Sequence, residues 1–194
     1  TFNENYPQMA MEMGLECDIR FKHIVVYLSE LIADGRLQFQ EPLNHTVTYH
    51  DSCHVGRWFG HYDEPRAVIK AIPGIELREM EHVKENGLCC GLVSAFDSLP
   101  SVAHSGMKRV QEAEATGAEY LVTNCAGCGS QFNATCNAMG TKVSQMDLTE
   151  LVAKALGIPT HDPSAKIGMF MGQVTGLLKD SVLAPVVVPP EAKK

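Results

Sequence analysis

The sequence predicts an α/β protein built on a small parallel sheet with helices on its faces. Short runs rich in β-branched or alternating apolar residues are separated by longer runs with helical periodicity, an order typical of parallel α/β sheets. Five of the seven cysteines follow three of the predicted strands, as Cys53, Cys89–Cys90 and Cys125 with Cys128. The two gaps between these groups are nearly equal, and each has about the length of one strand–helix–strand step, roughly 30 residues.

Composition and charge exclude several classes of function. The 194 residues carry a net charge of −7, and Lys and Arg form no basic run, which argues against nucleic acid and anionic membrane surfaces as partners. No apolar run reaches the roughly 18 residues of a membrane span. An odd number of cysteines, with no export signal before them, is a poor disulfide framework. We therefore expect a cytoplasmic protein with metal or redox chemistry.

The first half of the chain is predicted to contain two helices and two strands. An apolar face between Phe21 and Ile32 predicts a helix with Asp18 as its N-cap and Gly35 just past its end, whereas residues 1–16 show no clear period. The other elements of this half are a strand over 46–50, a helix over 63–72 that begins at Asp63-Glu64-Pro65 with Asp63 as its N-cap, and an edge strand over 75–80.

The second half continues the alternation with three helices and two strands. Gly117 is predicted to end one helix, Cys125 to open the next, and Asp147 to cap the last. The predicted elements are a helix over 99–116, a compact buried strand over 119–123, a helix from Cys125 through Cys136, a strand over 142–146 and a helix over 147–156. We expect three regions: a helical segment over 1–44, a cysteine-rich domain over 45–157 and an extended tail over 158–194.

The predicted topology gathers the five cysteines. In a parallel sheet the loops that carry function lie beyond the carboxyl ends of the strands, so all five thiols are expected at that edge. Thiolates select zinc, copper(I) or iron–sulfur clusters. Side chains of adjacent cysteines diverge, which favours a multi-iron group or two metals over one small ion. A four-cysteine zinc site, a thioredoxin-like dithiol and unrelated buried cysteines are the alternatives. Cys17 and Cys136 are expected to lie outside the site.

At these residues the sequence resembles a known family. Cys53, Cys89-Cys90-Gly91 and Cys125-x-x-Cys128, with the flanking runs 49–57 and 72–75, resemble the cysteine-rich "CCG" domain of heterodisulfide reductases, most closely that of their D-type subunits. The resemblance covers about residues 1–157 and implies a Rossmann-like domain, the C-terminal one of two in a longer polypeptide. It also implies that the five cysteines hold a noncubane [4Fe-4S] cluster that cleaves a disulfide substrate.

The resemblance further implies partners and a need for protons. The expected partners are other subunits of a redox complex, such as a ferredoxin-like subunit or a membrane cytochrome b-type subunit that would hold the protein at the cytoplasmic face. His50 and His54 flank Cys53 and are our candidate proton donors, ahead of His61 and His82. Arg57 and Lys84 are candidates for offsetting cluster charge or binding an anionic substrate. Two other functions stay open: a zinc-binding structural or assembly domain, and an iron–sulfur subunit of a 2-hydroxyacid (glycolate or lactate) oxidase.

Overall fold

The computed structural model describes residues 2–16, 21–96 and 99–160 and confirms the predicted α/β architecture. The strands are β1 (Thr46–Tyr49), β2 (Glu76–Leu77), β3 (Tyr120–Thr123) and β4 (Ser144–Asp147). The helices are α1 (Phe2–Glu12), α2 (Ile24–Ala33), α3 (Asp63–Ala71), α4 (Leu99–Ala115), α5 (Ala126–Met139) and α6 (Leu148–Ala155). Two short 3₁₀ turns, Lys84–Asn86 and Leu92–Phe96, lie between β2 and α4.

All four strands are parallel and stand in the order β2-β1-β3-β4. Val47 pairs with Leu77 on one side of β1 and with Tyr120 on the other, so β1 and β3 are the central strands. The run predicted to be an edge strand is indeed at the edge. Because the strands are parallel, their carboxyl ends all lie along the same side of the sheet.

The sheet is covered on both faces, and neighbouring residues of β3 show this directly. Leu121 belongs to a buried cluster with Val110 of α4 and Phe132 of α5. Val122 belongs to a second cluster, with residues of α2, α3 and α6. Successive strand residues point to opposite faces, so this pair of clusters marks the two sides of the sheet. Cys90 and Cys128 pack on the side of α4 and α5.

Several predicted helix ends are confirmed, since local signals determine them. Asp147 accepts the backbone N–H of Thr149 at 2.8 Å and so caps α6. Gly35 and Gly117, which were predicted to follow helices, both have positive φ just past helix ends, where glycine carries no steric penalty.

Other boundaries differ from the prediction. Helix α2 begins at Ile24, with His23 rather than Asp18 as its N-cap, because the His23 ring accepts the N–H of Val25. Asp18 and Cys17 lie outside the described residues. Asp63 is the first residue of α3 rather than its cap. Residues 2–12 form α1 despite Pro7 and the lack of a clear period.

Strand β2 is also shorter than predicted, ending at Leu77 rather than near Met80. Beyond Leu77 the chain leaves the edge of the sheet and enters the loop that leads to Cys89. The division of the chain at residues 44 and 157 remains a prediction, and the expected tail falls outside the described residues from 161 onward. Among the described helices, none is long and apolar enough to cross a membrane.

Candidate metal centre at the carboxyl edge of the sheet

Two of the three cysteine loops follow central strands directly. Cys53 lies in the turn after β1, and Cys125 is the residue that precedes α5, immediately beyond β3. Cys128 is in the first turn of α5 and is buried, whereas Cys53 and Cys125 are half-buried. The parallel sheet therefore brings two chain segments that are far apart in sequence to the same edge.

The third loop, with Cys89 and Cys90, lies well beyond the end of β2 and is positioned by side chains of the first loop. Asp51 accepts the backbone N–H of Lys84 at 2.7 Å. Arg57 donates to the carbonyl of Gly87 at 3.0 Å, two residues before Cys89. These two contacts hold the loop of Cys89 and Cys90 against the loop of Cys53. Strand β2 cannot position the cysteine pair by itself, because it ends well before Cys89.

Asp51 is in turn held by a buried ion pair. Arg66 of α3 donates to both carboxylate oxygens of Asp51, at 2.7 and 2.9 Å, and to both of Glu79, at 2.6 and 2.9 Å. Its fifth N–H reaches the carbonyl of Tyr62 at 2.7 Å. All five guanidinium donors are thus used, which makes Arg66 the fixed point between α3 and the cysteine loops.

Four of the predicted cysteines share one pocket, and the fifth adjoins it. The empty space in and around the pocket is about 290 Å³, part of it open solvent, and the lining residues are His50, Asp51, Cys53, Arg57, Lys84, Gly87, Leu88, Cys89, Cys90 and Cys128. Cys89 hydrogen-bonds Cys90, Cys90 hydrogen-bonds Cys128, and Cys128 hydrogen-bonds Cys125. Cys136 is buried on α5 and does not line the pocket.

The thiols of the metal-free site differ in acidity because they share protons. Hydrogen bonds from Cys128 and Cys89 lower the pKa of Cys90. The pKa of Cys125 falls to about 6, first because of its contact with Cys128 and then because backbone N–H groups at the start of α5 donate to its sulfur. The pKa values of Cys128 and Cys89 are raised, since they are the partners that keep the protons. The start of α5 therefore stabilises a thiolate at Cys125, but not at Cys128.

This order of acidity predicts an order of alkylation. In the metal-free protein at pH 7, iodoacetamide should modify half-buried Cys125 faster than exposed Cys89, because the thiolate is the nucleophile. The lowered pKa of Cys125 stabilises the fold at alkaline pH, and this stabilisation is lost as pH falls from about 8.5 towards 6. Initial rates from peptide mass spectrometry test the prediction, and faster labelling of Cys89 than of Cys125 would contradict it.

The glycine after the cysteine pair has a conformation that other residues avoid. Gly91 has a φ of +88°, and its N–H donates to the Cys89 sulfur at 3.3 Å. We expect Gly91→Ala to cost about 1–2 kcal/mol of stability and to lose bound metal, because the added Cβ disfavours this backbone turn. Gly140, with a φ of +63° at the end of α5, provides the matched control.

The Gly140→Ala variant should lose a similar amount of stability and keep its metal. Urea unfolding gives the first quantity and elemental analysis the second. Equal metal loss in both variants would mean that general destabilisation, and not the Gly91 turn, explains the result.

The two candidate proton donors lie in very different surroundings. His50 is buried, packs edge-on against Phe132 with ring centroids 4.7 Å apart, and accepts a hydrogen bond at Nδ1 from Arg109 at 3.1 Å. Burial, and then the charge of Arg109, lower the pKa of His50 to about 3. His54 is exposed beside Trp58 and is not among the residues that line the pocket.

The remaining predicted side chains lie partly at the pocket and partly away from it. Arg57 and Lys84 line the pocket, but Lys84 pairs with Asp63 at 2.8 Å and Arg57 binds loop carbonyls. His61 pairs with Glu64 at 2.9 Å, and His82 with Glu112 at 2.6 Å. Neither of these histidines lines the pocket.

Sequence reasoning missed Arg109 and Asn124, which contact the site from its buried side. Asn124 accepts from Tyr49 at 2.9 Å and from Ser52 at 3.1 Å, next to Cys125. Its Nδ2 and the Nη2 of Arg109 are buried donors with no hydrogen-bond partner among the described residues. The adjacency of Asn124 to Cys125 was a usable signal. Nothing local in the sequence distinguishes Arg109 from a surface arginine of an amphipathic helix.

Comparison with known proteins finds a family match over the region that contains this site. A family model described as a cysteine-rich domain, CCG, matches residues 47–133, a range that contains all five cysteines.

Three relatives illustrate the range of proteins that the chain resembles. The D subunit of a dihydromethanophenazine:CoB–CoM heterodisulfide reductase from Methanosarcina barkeri is 35% identical over 76% of this chain. A probable iron-sulfur-binding oxidoreductase of Bacillus subtilis is 33% identical over 80%. The B subunit of a fumarate reductase (CoM/CoB) from Methanothermobacter marburgensis is 31% identical over 80%. The chain spans 37%, 22% and 30% of these relatives, respectively.

Proposed function

This chain belongs to the CCG cysteine-rich domain family and is related to the D subunit of heterodisulfide reductases. From that premise we propose that it acts as an iron–sulfur redox subunit. In this proposal Cys53, Cys89, Cys90, Cys125 and Cys128 hold a noncubane [4Fe-4S] cluster. The protein reduces a disulfide or passes electrons to a partner that does.

One observation carries the proposal: four of the five thiols line one pocket, and the fifth lies beside them. Cys53, Cys89, Cys90 and Cys128 line the pocket, and Cys125 interacts with Cys128 at the start of α5. A single tetrahedral zinc needs four ligands, so five gathered sulfurs favour a larger group.

The other polar groups of the site fit a sulfur-rich, negatively charged group. Two buried donors, Asn124 Nδ2 and Arg109 Nη2, have no partner among the described residues, and both belong to residues that contact the cysteine loops or His50. The N–H of Gly91 already donates to sulfur. Hydrogen bonds to sulfur and local positive charge are the means by which proteins adjust the potential of iron–sulfur centres.

The proposed reaction consumes two electrons and two protons and yields two thiols from one disulfide. When bound, the cluster would supply electrons one at a time to the sulfur–sulfur bond. His54 is the proposed route for protons, because it is exposed and follows Cys53 directly. His50 is neutral at pH 7 and lacks the extra proton that a general acid would give. It can donate a hydrogen bond instead.

Partners and location extend the proposal. We infer that the chain works with other subunits of a redox complex, among them a ferredoxin-like subunit or a membrane cytochrome b-type subunit that keeps it at the cytoplasmic face. Two of the relatives are named as subunits of enzymes, which supports assembly. The substrate would be a disulfide that enters the pocket beside Cys53, Arg57 and Lys84.

The test is the metal and acid-labile sulfide content of protein purified without oxygen. About four irons with matching sulfide per chain are expected. Adding thiols or disulfides to the oxidised and reduced protein should then change its paramagnetic resonance spectrum if the pocket admits substrate. A spectrum that responds to redox potential but to no sulfur compound would restrict the chain to electron transfer.

A zinc-binding structural domain is the second candidate, and one observation favours it. A ring nitrogen of His50 and the sulfurs of Cys90 and Cys128 all lie within 4.8 Å of one another, a spacing that suits one small ion. One zinc per chain without sulfide would establish this alternative and exclude the iron–sulfur proposal.

A further inference from the structure

Arg109 is a charged residue in the interior whose surroundings are unusual. Its side chain is fully buried on α4, where Nη1 donates to Glu112 at 2.5 Å and to the carbonyl of His82 at 2.7 Å. The Glu112 carboxylate balances the charge on that side. On the other side Nε donates to the Nδ1 of His50 at 3.1 Å. Burying an arginine costs free energy unless its charge is paired and its N–H donors find acceptors. The hydrogen bond from Arg109 to His50 therefore needs an explanation.

The hydrogen bond from Arg109 determines the tautomer of His50. A guanidinium has only donors and stays protonated in proteins, so the Nδ1 of His50 must offer a lone pair. A neutral imidazole that accepts at Nδ1 carries its proton at Nε2. One ring nitrogen of His50 lies within 4.8 Å of the sulfurs of Cys90 and Cys128, and because Nδ1 accepts from Arg109, a hydrogen bond from the ring to sulfur has to come from Nε2–H.

This tautomer changes what His50 can do. A metal ligand needs a free lone pair on the ring, but in His50 one nitrogen accepts from Arg109 and the other carries hydrogen. The trio of His50, Cys90 and Cys128 has the spacing of a small metal site, yet the arginine makes the histidine a donor towards sulfur.

The planar guanidinium adds a second donor on the same side. Nε–H and one N–H of Nη2 are parallel along one edge of the guanidinium. Nη2 of Arg109 is buried and has no partner among the described residues. Glu112 accepts only from Nη1. The edge of the guanidinium that faces His50, formed by Nε and Nη2, therefore keeps N–H donors that are not paired with this carboxylate.

We propose that Arg109 is a positioning residue that holds His50 in the Nε2–H tautomer, so that His50 donates a hydrogen bond to the sulfur of Cys90 or Cys128 and raises the reduction potential of the group that the cysteines bind. The part concerning the potential rests on the proposed iron–sulfur function. The part concerning the tautomer does not, and it can be tested whatever metal is bound.

The tautomer is read by long-range ¹H–¹⁵N correlation spectroscopy of the full chain labelled at histidine, as purified and after metal removal. We expect His50 to show a protonated Nε2 and a bare Nδ1. A charged donor at Nδ1 should favour the Nε2–H tautomer over the Nδ1–H tautomer by about tenfold or more. In Arg109→Met this ratio should fall towards an even mixture of the two tautomers. Lys108→Met, an exposed neighbour on α4 with the same loss of charge, should leave His50 unchanged. A protonated Nδ1 in the wild type, or no change in Arg109→Met, would overturn the proposal.

The reduction potential distinguishes the hydrogen bond from general packing, since donors to sulfur stabilise the more negative reduced state. Arg109→Met and His50→Leu should both lower the midpoint potential, whereas Lys108→Met should not. His50→Gln places an amide donor near the position of Nε2 and should keep most of the wild-type potential. In the His50→Gln background, Arg109→Met should lower the potential by less than it does in the wild type, because an amide has no tautomer to set and only the direct effect of the arginine is lost.

The His50 variants also carry the test if Arg109→Met does not fold. Equal potentials for His50→Gln and His50→Leu would rule out the hydrogen bond as the origin of the effect. A protein that binds zinc and has no redox transition would remove the proposed function, yet the spectrum of His50 would still decide the tautomer. Zinc bound at the Nε2 of His50 would refute both the donor role and the positioning role of Arg109.

Discussion

The Cys90→Ser variant is expected to lose most of its iron and sulfide and, with them, any redox signal linked to disulfides. Cys90 is buried at the centre of the series of thiols, hydrogen-bonded to Cys89 on one side and to Cys128 on the other. Serine has nearly the same volume but is a poor ligand for iron at neutral pH. Loss of a ligand should cost more than the roughly 10–100-fold in affinity that loss of an outer hydrogen-bond partner costs. Cys89→Ser is expected to behave alike.

Cys136 supplies the matched control for this experiment. It is also a buried cysteine, it lies on α5, and it packs in the same apolar cluster as Cys90. Cys136→Ser should therefore cost a similar amount of packing but retain the cluster, and Cys17→Ser should retain it too. Iron content, labile sulfide and the ultraviolet–visible spectrum of anaerobic protein measure the outcome. A Cys90→Ser protein with full iron content would remove Cys90 from the ligand set.

The Arg66→Leu variant is expected to be less stable by about 3–5 kcal/mol, the usual cost of removing one partner from a buried ion pair. The Arg66 side chain is only 7% exposed, and that of Asp51 only 2%. Without the arginine, Asp51 keeps a buried charge, and among the described residues its remaining hydrogen bond is the one from the N–H of Lys84. Because Asp51 ties the loop of Cys89 and Cys90 to β1, we expect weaker metal binding as well.

Arg78→Leu is the control for the loss of a surface charge. Arg78 forms a similar two-pronged pair with Glu76, but the two side chains are 39% and 61% exposed. Solvent screens such pairs, so this variant should lose far less stability than Arg66→Leu. Urea unfolding monitored by circular dichroism gives the comparison. Equal losses for the two arginines would show that the buried network does not hold the cysteine loops together.

Local sequence signals were sufficient for much of the fold. The Asp147 cap and the glycines past α2 and α4 depend on residues within one helical turn, and these predictions are confirmed. The predicted start of α2 and the predicted length of β2 were wrong. His23 caps α2, although histidine is a weaker and less specific N-cap signal than the aspartate at position 18. Strand β2 is short because its pairing with β1 extends only to Leu77.

The sequence by itself determined which strands precede the cysteines, and chain direction in a parallel sheet does the rest: thiols that follow strands meet at the carboxyl edge. Only the tertiary structure decided how the edge is arranged. Asp51 reaches Lys84 and Arg66, and His50 meets Arg109, across separations of 33, 15 and 59 residues. Such contacts depend on the packing of α3 and α4 against the sheet, which no local pattern encodes. For that reason a histidine that the sequence offers as a proton donor becomes, beside a buried arginine, a neutral hydrogen-bond donor.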